Sequence, residues 1–240
     1  MRIRFATLLM AAVAAVVLAV PAVTADDDYD AKDKPKRVEL VQDAEQVLRD
    51  AVSAPDKRIP QDLLEKAECI GVFPKVKKGA FVVGGEYGKG VFTCRQPDGT
   101  MGTPAFFSIG GPSVGFQAGG SSTDLVLLIM NEKGVNYLLK DKFTLGGEAA
   151  AVAGPVGRNA QAMTDVMLHA QILSWSRSRG AFLGASLEGM VVNSKEDANH
   201  EFYGKPLTAR QILVEHKVEA PAAAKSFVKT ASSYSGRTSS

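Results

Sequence analysis

Residues Gly111-Pro112-Ser113-Val114-Gly115 spell G-x-S-x-G. That pattern serves acyl transfer when the serine stands on a sharp turn between a strand and a helix, with an acid and a histidine later in the chain. His169 with Asp165, or His200 with Asp197, supplies the right order. However, Phe116-Gln117-Ala118-Gly119-Gly120 makes a poor helix start, and no spacing directs either pair at Ser113. A serine hydrolase using Ser113 is therefore an alternative expectation, not the leading one. Ser226-Phe227-Val228-Lys229 spells S-x-x-K, but its only K-T-G-like companion, Lys229-Thr230-Ala231, overlaps the same segment. Gly84-Gly85-Glu86-Tyr87-Gly88-Lys89-Gly90 has three residues, not four, between Gly84 and Gly88, and no hydroxyl after the lysine, so no nucleotide is expected. The three histidines lie far apart without metal-ligand spacing, and no cofactor is expected.

The remaining chemistry is cationic. Segment 74–95 carries Lys75, Lys77, Lys78, Lys89 and Arg95 against a single acid, Glu86. Lys75 and Lys77 share one face of an extended segment, with Lys78 on the other face or in a turn. Phe73, Phe81, Tyr87 and Phe92 stand close by. Cationic tips beside aromatic rings suit an anionic membrane surface, where each basic residue is worth about 1 kcal/mol and is screened by salt.

The elements that must position these groups follow from periodicity. Pro35 suits a first helical turn, and Leu40, Ala44, Val47, Leu48 and Ala51 recur at helical spacing. Ile59-Pro60 starts a short helix through Leu63, Leu64 and Ala67. Val72 to Pro74, Gly79 to Glu86 and Gly90 to Arg95 read as short strands joined by turns at Tyr87-Gly88-Lys89-Gly90 and Gln96-Pro97-Asp98-Gly99, which makes the basic segment a hairpin. Phe106 to Phe116 and Leu125 to Met130 continue the β pattern. A helix follows over Glu132 to Lys140, then strands at Ala149 to Ala153, Val166 to Ser174 and Ala181 to Leu187. Thr208-Ala209-Arg210-Gln211 is a capping box that opens a helix, and Pro221 begins another. Strand-like runs rich in glycine imply bulges and strong curvature. The expected fold is α+β: a single domain over 37–230, with a strongly curved, mainly antiparallel sheet or barrel-like core and N- and C-terminal helices.

The first 25 residues read as a cleaved secretory signal. Arg2 and Arg4 precede an apolar run from Phe5 to Val20, and Val23-Thr24-Ala25 supplies the small residues for a cut after Ala25. Residues 26–36 then read as a solvated linker and 231–240 as a disordered tail. A chain of 240 residues, 45% hydrophobic and 22% charged, can bury a full core. Its formal charge of +2 resides in Arg2 and Arg4, so the processed chain is neutral. Generic polycation binding is excluded, nucleic acid is not an expected partner, and local patches must carry any electrostatic recognition. Export places Cys69 and Cys94 where a disulfide can form, closing a loop of about 25 residues worth on the order of 3 kcal/mol.

An ordered set of short matches runs through most of the processed chain, about residues 37–216. It includes Gly71-Val72-Phe73-Pro74 with Lys77-Lys78-Gly79, Val83-Gly84-Gly85 with Tyr87-Gly88-Lys89-Gly90, and Phe116-Gln117-Ala118-Gly119. The most specific are Gly154-Pro155-Val156-Gly157-Arg158, Ser176-Arg177-Ser178-Arg179-Gly180 and Gly184-Ala185-Ser186-Leu187-Glu188-Gly189. Together they resemble the SYLF domain, a lipid-binding module. The resemblance implies phospholipid binding without catalysis. Eukaryotic members are associated with phosphoinositides, membrane remodelling and, in some, actin. With its export-type leader, the chain looks more like the stand-alone bacterial envelope members, for which an anionic phospholipid such as phosphatidylglycerol or cardiolipin is the matching ligand. The expected location is the periplasm or outside the cell; any protein partner is unknown, and a structural envelope protein that binds another protein is the second alternative reading. The resemblance fixes no binding residue. Lys75, Lys77, Lys78, Lys89 and Arg95 are the first lipid-binding candidates, and Arg158, Arg177 and Arg179 the second.

Overall fold

A computed structural model describes residues 33–54, 58–157, 169–177 and 180–236, with the backbone path alone at 80–84 and 113–120. Helix α1 spans Lys34–Ser53, with a proline in its first turn and Val41, Ala44, Val47, Leu48 and Ala51 forming one buried stripe. It starts inside the segment expected to be linker. The first 25 residues, read as a secretory signal, lie outside the described residues. Helix α2, Gln61–Lys66, buries Leu63 and Leu64.

Strand β1 is one continuous strand, Cys69–Cys94, of 26 residues, and β2 is another, Ala105–Ile129, of 25. They pair antiparallel, from Cys69 opposite Ile129 to Phe92 opposite Ala105. The basic segment is therefore not a hairpin, and Tyr87-Gly88-Lys89-Gly90 is not a turn: Lys89 sits mid-strand opposite Ser108. At about 3.3 Å per residue a flat strand of this length would reach roughly 85 Å, so the ribbon must curl, and its first end folds across its last. A Cβ on Gly71 would fall 2.3 Å from the Phe92 ring, one on Gly90 2.3 Å from the Val72 carbonyl, and one on Gly88 2.5 Å from Val76. The glycines that signalled turns are instead crossing points where backbone meets side chain without an intervening Cβ. The disulfide expected between Cys69 and Cys94 is present and joins the two ends of β1.

The rest of the sheet is built on β2. After it come α3 (Glu132–Leu138), β3 (Lys142–Thr144), β4 (Ala151–Ala153), β5 (Ile172–Arg177), β6 (Phe182–Gly184) and β7 (Val191–Ser194). The N-terminal half of β2 pairs with β7 and its C-terminal half with β5, on the edge away from β1. Strand β3 flanks β7, β4 lies parallel to β5, and β6 pairs β5 antiparallel. The seven strands form one curled sheet, so the α+β class and the curved sheet are as expected. Helices α4 (Glu196–Tyr203), α5 (Ala209–Leu213) and α6 (Ala222–Ser235) complete the domain, and Thr208 with Gln211 forms the anticipated capping box. Helix α6 carries buried Ala231 and Ser235, so the folded domain reaches past the expected boundary at 230.

Both faces of the sheet are covered. Val126 and Leu128 join α1, α2, α4 and α6 in one core, while Leu125, Leu127 and Ile129 face a second with Phe73, Phe92, Phe107 and α5. Two-sided burial explains why Leu125 to Ile129 is apolar without alternation. Phe92 stacks edge-on against both Phe73 and Phe107, at 5.7 and 5.0 Å between centroids.

Candidate functional site

The doubling-back of β1 creates the site. Lys75 and Lys77 lie near its first end, and Tyr87 and Lys89 twelve residues further on. All four are exposed, while the intervening Val76 and Gly88 face inward and touch each other. Contact between Val76 and Gly88 brings the two outward-facing pairs together. The N-terminal half of α1 forms the opposite wall with Lys36, Glu39, Leu40 and Asp43. The groove between them has a volume of about 450 Å³, and Tyr87 stands in it 52% exposed.

Most charges around the groove are matched. The Lys75 ammonium lies 2.7 Å from Asp43, and that hydrogen bond holds it above the usual lysine range. Lys36 pairs with Asp33 at 2.5 Å, which lowers the Asp33 carboxyl. Arg37 is buried and reaches Glu201 of α4 at 2.6 Å. Lys77 and Lys89 have no ion pair among the described residues, and both line the groove.

The other candidates go elsewhere. Lys78 does not line the groove and pairs with Glu86 at 2.8 Å. Arg95 is half-buried and does not line the groove. Its guanidinium donates to the carbonyls of Ala67, Glu65, Gly99 and Ser235 at 2.8–3.0 Å, so it closes the ends of α2 and α6 and the turn that follows β1. Arg177 is half-buried, bound to Asp50 at 2.6 Å and Asp124 at 2.7 Å and lying over the Phe182 ring at 5.0 Å. Arg158 and Arg179 lie outside the described residues.

The wall from α1 was missed. The sequence reading places Asp33 to Lys36 in a linker, and Glu39 and Asp43 are ordinary polar-face residues whose approach to β1 no local pattern announces. The nucleophile elbow is also overturned: Ser113 lies inside β2, paired opposite Gly84, with strand on both sides and no helix after it. Among the described residues no cluster of His, Cys, Asp and Glu could hold a metal, and no helix is long and apolar enough to cross a membrane.

Residues 110–234 match the family model Ysc84, described as "Las17-binding protein actin regulator". The chain is 33% identical over 162 residues to the human SH3 domain-containing YSC84-like protein 1, covering 67% of this chain and 47% of that protein. It is 36% identical over 169 residues to the SH3 domain-containing protein PJ696.02 of Schizosaccharomyces pombe, covering 69% and 39%. With LAS seventeen-binding protein 3 of Saccharomyces cerevisiae it shares 34% over 161 residues, covering 66% and 35%. The chain thus spans half or less of these relatives, and the groove residues precede the segment matched by the family model. On the strength of these matches, and of the motifs resembling SYLF, the chain belongs to the Ysc84 family.

Proposed function

We propose that this chain is a non-enzymatic module that binds anionic phospholipid at the cell envelope, taking the head-group phosphate in the α1–β1 groove. The observation that carries this reading is the presence in one groove of Lys77 and Lys89, two ammoniums without an ion-pair partner among the described residues, together with exposed Tyr87. In a processed chain with no net charge, attraction to an anion must come from such a local remainder. Two lysines near an anionic surface contribute about 2 kcal/mol together, and a tyrosine ring is suited to the water–lipid boundary. The leader-like first 25 residues and the Cys69–Cys94 bridge both support an exported location.

Sedimentation with phosphatidylglycerol vesicles tests it. Lys77→Glu/Lys89→Glu should lose most of the bound fraction, and rising salt should weaken the parent's association. Lys78→Glu, outside the groove, should bind like the parent. A double variant that sediments as the parent does would refute the groove. A protein-binding role, which the relatives' names favour, would instead show as no vesicle affinity even at low salt.

A further inference from the structure

Resting on that reading, we infer that Asp43 is a built-in competitor for the ligand's phosphate, so that the groove selects head groups carrying two anionic groups over those carrying one. Lys75 lines both the groove and a second cavity of about 300 Å³ on its far side, and Asp43 lines both as well. The backbone at Lys75 is held by the fold, while its side chain is largely exposed. Its φ is +52°, a left-handed conformation uncommon for a lysine, at a β-bulge between Phe73 and Val76. Its N–H donates to Asp124 at 2.9 Å, and Asp124 is in turn gripped by Arg177, which also holds Asp50 of α1. The bulge is thereby tied to α1, with the lysine stem projecting from its rim.

The ammonium at the end of that stem is 61% exposed and its Asp43 partner 32% exposed. A pair so wet is weak, and a phosphate can displace the carboxylate. Displacement leaves a carboxylate beside a phosphate, a like-charge contact that a ligand with one anionic group has little reason to make, because Lys77 and Lys89 already neutralise it. A ligand with two anionic groups differs. Its first phosphate seats on Lys77 and Lys89, and its second is then held near Lys75 at high effective concentration. Cardiolipin, with two phosphates on one head, has this chemistry, whereas phosphatidylglycerol has one.

The experiment compares full-chain protein binding to cardiolipin and to phosphatidylglycerol vesicles matched for total surface charge. The parent should favour cardiolipin about fivefold, the worth of one further basic residue at an anionic surface. Asp43→Asn frees Lys75 and should raise phosphatidylglycerol binding about fivefold, bringing the preference below twofold. Glu39→Gln removes the same charge from the same wall while leaving the Lys75–Asp43 hydrogen bond in place, and should raise binding to both vesicles alike by less than twofold. In Asp43→Asn/Lys75→Gln the gain should vanish. If the parent binds both vesicles equally, if Glu39→Gln matches Asp43→Asn, or if the gain survives in the double variant, Asp43 is no competitor, while the lipid-binding reading stands. If no variant binds either vesicle at low salt, both fall together.

Discussion

Replacing Arg95 by alanine separates a structural arginine from a lipid-binding one. Its guanidinium donates to Ala67 at 2.9 Å, Glu65 at 3.0 Å, and Gly99 and Ser235 at 2.8 Å each. These carbonyls belong to the ends of two helices and to a tight turn, where the chain has no backbone donor of its own to offer. A hydrogen bond to a charged group is worth about 1.5–3 kcal/mol, but the four are not additive, and a half-buried site admits water to some carbonyls after truncation. Two net bonds' worth, about 4 kcal/mol, is the expected loss. For a domain of this size that lowers Tm by roughly 12 °C. Urea unfolding followed through the single, fully buried Trp175 reads the effect directly, with the midpoint moving and the slope unchanged. Arg95→Lys should recover less than half, because three donors on one point cannot span carbonyls arranged around a planar fork. The folded fraction of Arg95→Ala should bind anionic vesicles as the parent does. A loss below about 1 kcal/mol, or full rescue by lysine, would refute the account.

The Cys69–Cys94 bridge and Glu45 give two further expectations. Changing both cysteines to alanine should cost about 3 kcal/mol in urea, as expected for the loop closed between the ends of β1, and an unchanged midpoint would show that packing alone secures the crossing. Burial works to raise the Glu45 carboxyl, but hydrogen bonds from Arg49, Ser226 and Thr230 outweigh it and leave it below its ordinary value of 4.5. Its stabilising link between α1 and α6 is therefore complete above about pH 4.5 and lost as pH falls through the depressed folded-state value. Urea midpoints measured from pH 6 to pH 3 should fall more steeply for the parent than for Glu45→Gln, and parallel curves would show that Glu45 is not what titrates.

Features whose cause is local were legible in the sequence. The α1 stripe, the Thr208 capping box and the turn at Gln96 to Gly99 each depend on residues within a few positions of one another. Strands β3 and β7 and helix α4 passed unnoticed because three or four residues carry no periodicity, and because α4 lacks a side-chain cap at Lys195. The error over β1 has a different origin. A glycine that relieves a turn and one that admits a crossing backbone look identical in sequence, since both need the missing Cβ. Only the partner, Val72 for Gly90 or Phe92 for Gly71, tells them apart, and that partner is about twenty residues away.

The same limit governs the charge reading. Counting segment 74–95 gives four uncompensated positive charges because the count reaches only as far as Glu86. The acids that matter come from elsewhere: Asp43 stands on a helix 32 residues before Lys75, while Asp50 and Asp124 reach Arg177 from 127 and 53 residues off. Arg95 spends its charge on carbonyls, which no tally of side chains can see. Subtracting these tertiary partners leaves Lys77 and Lys89. A surface that binds an anion is defined by what folding fails to neutralise, so candidate binding residues are found by difference. The difference is sharp here because β1 doubles back and sets the two leftover ammoniums on one rim, where separate strands would have left them apart.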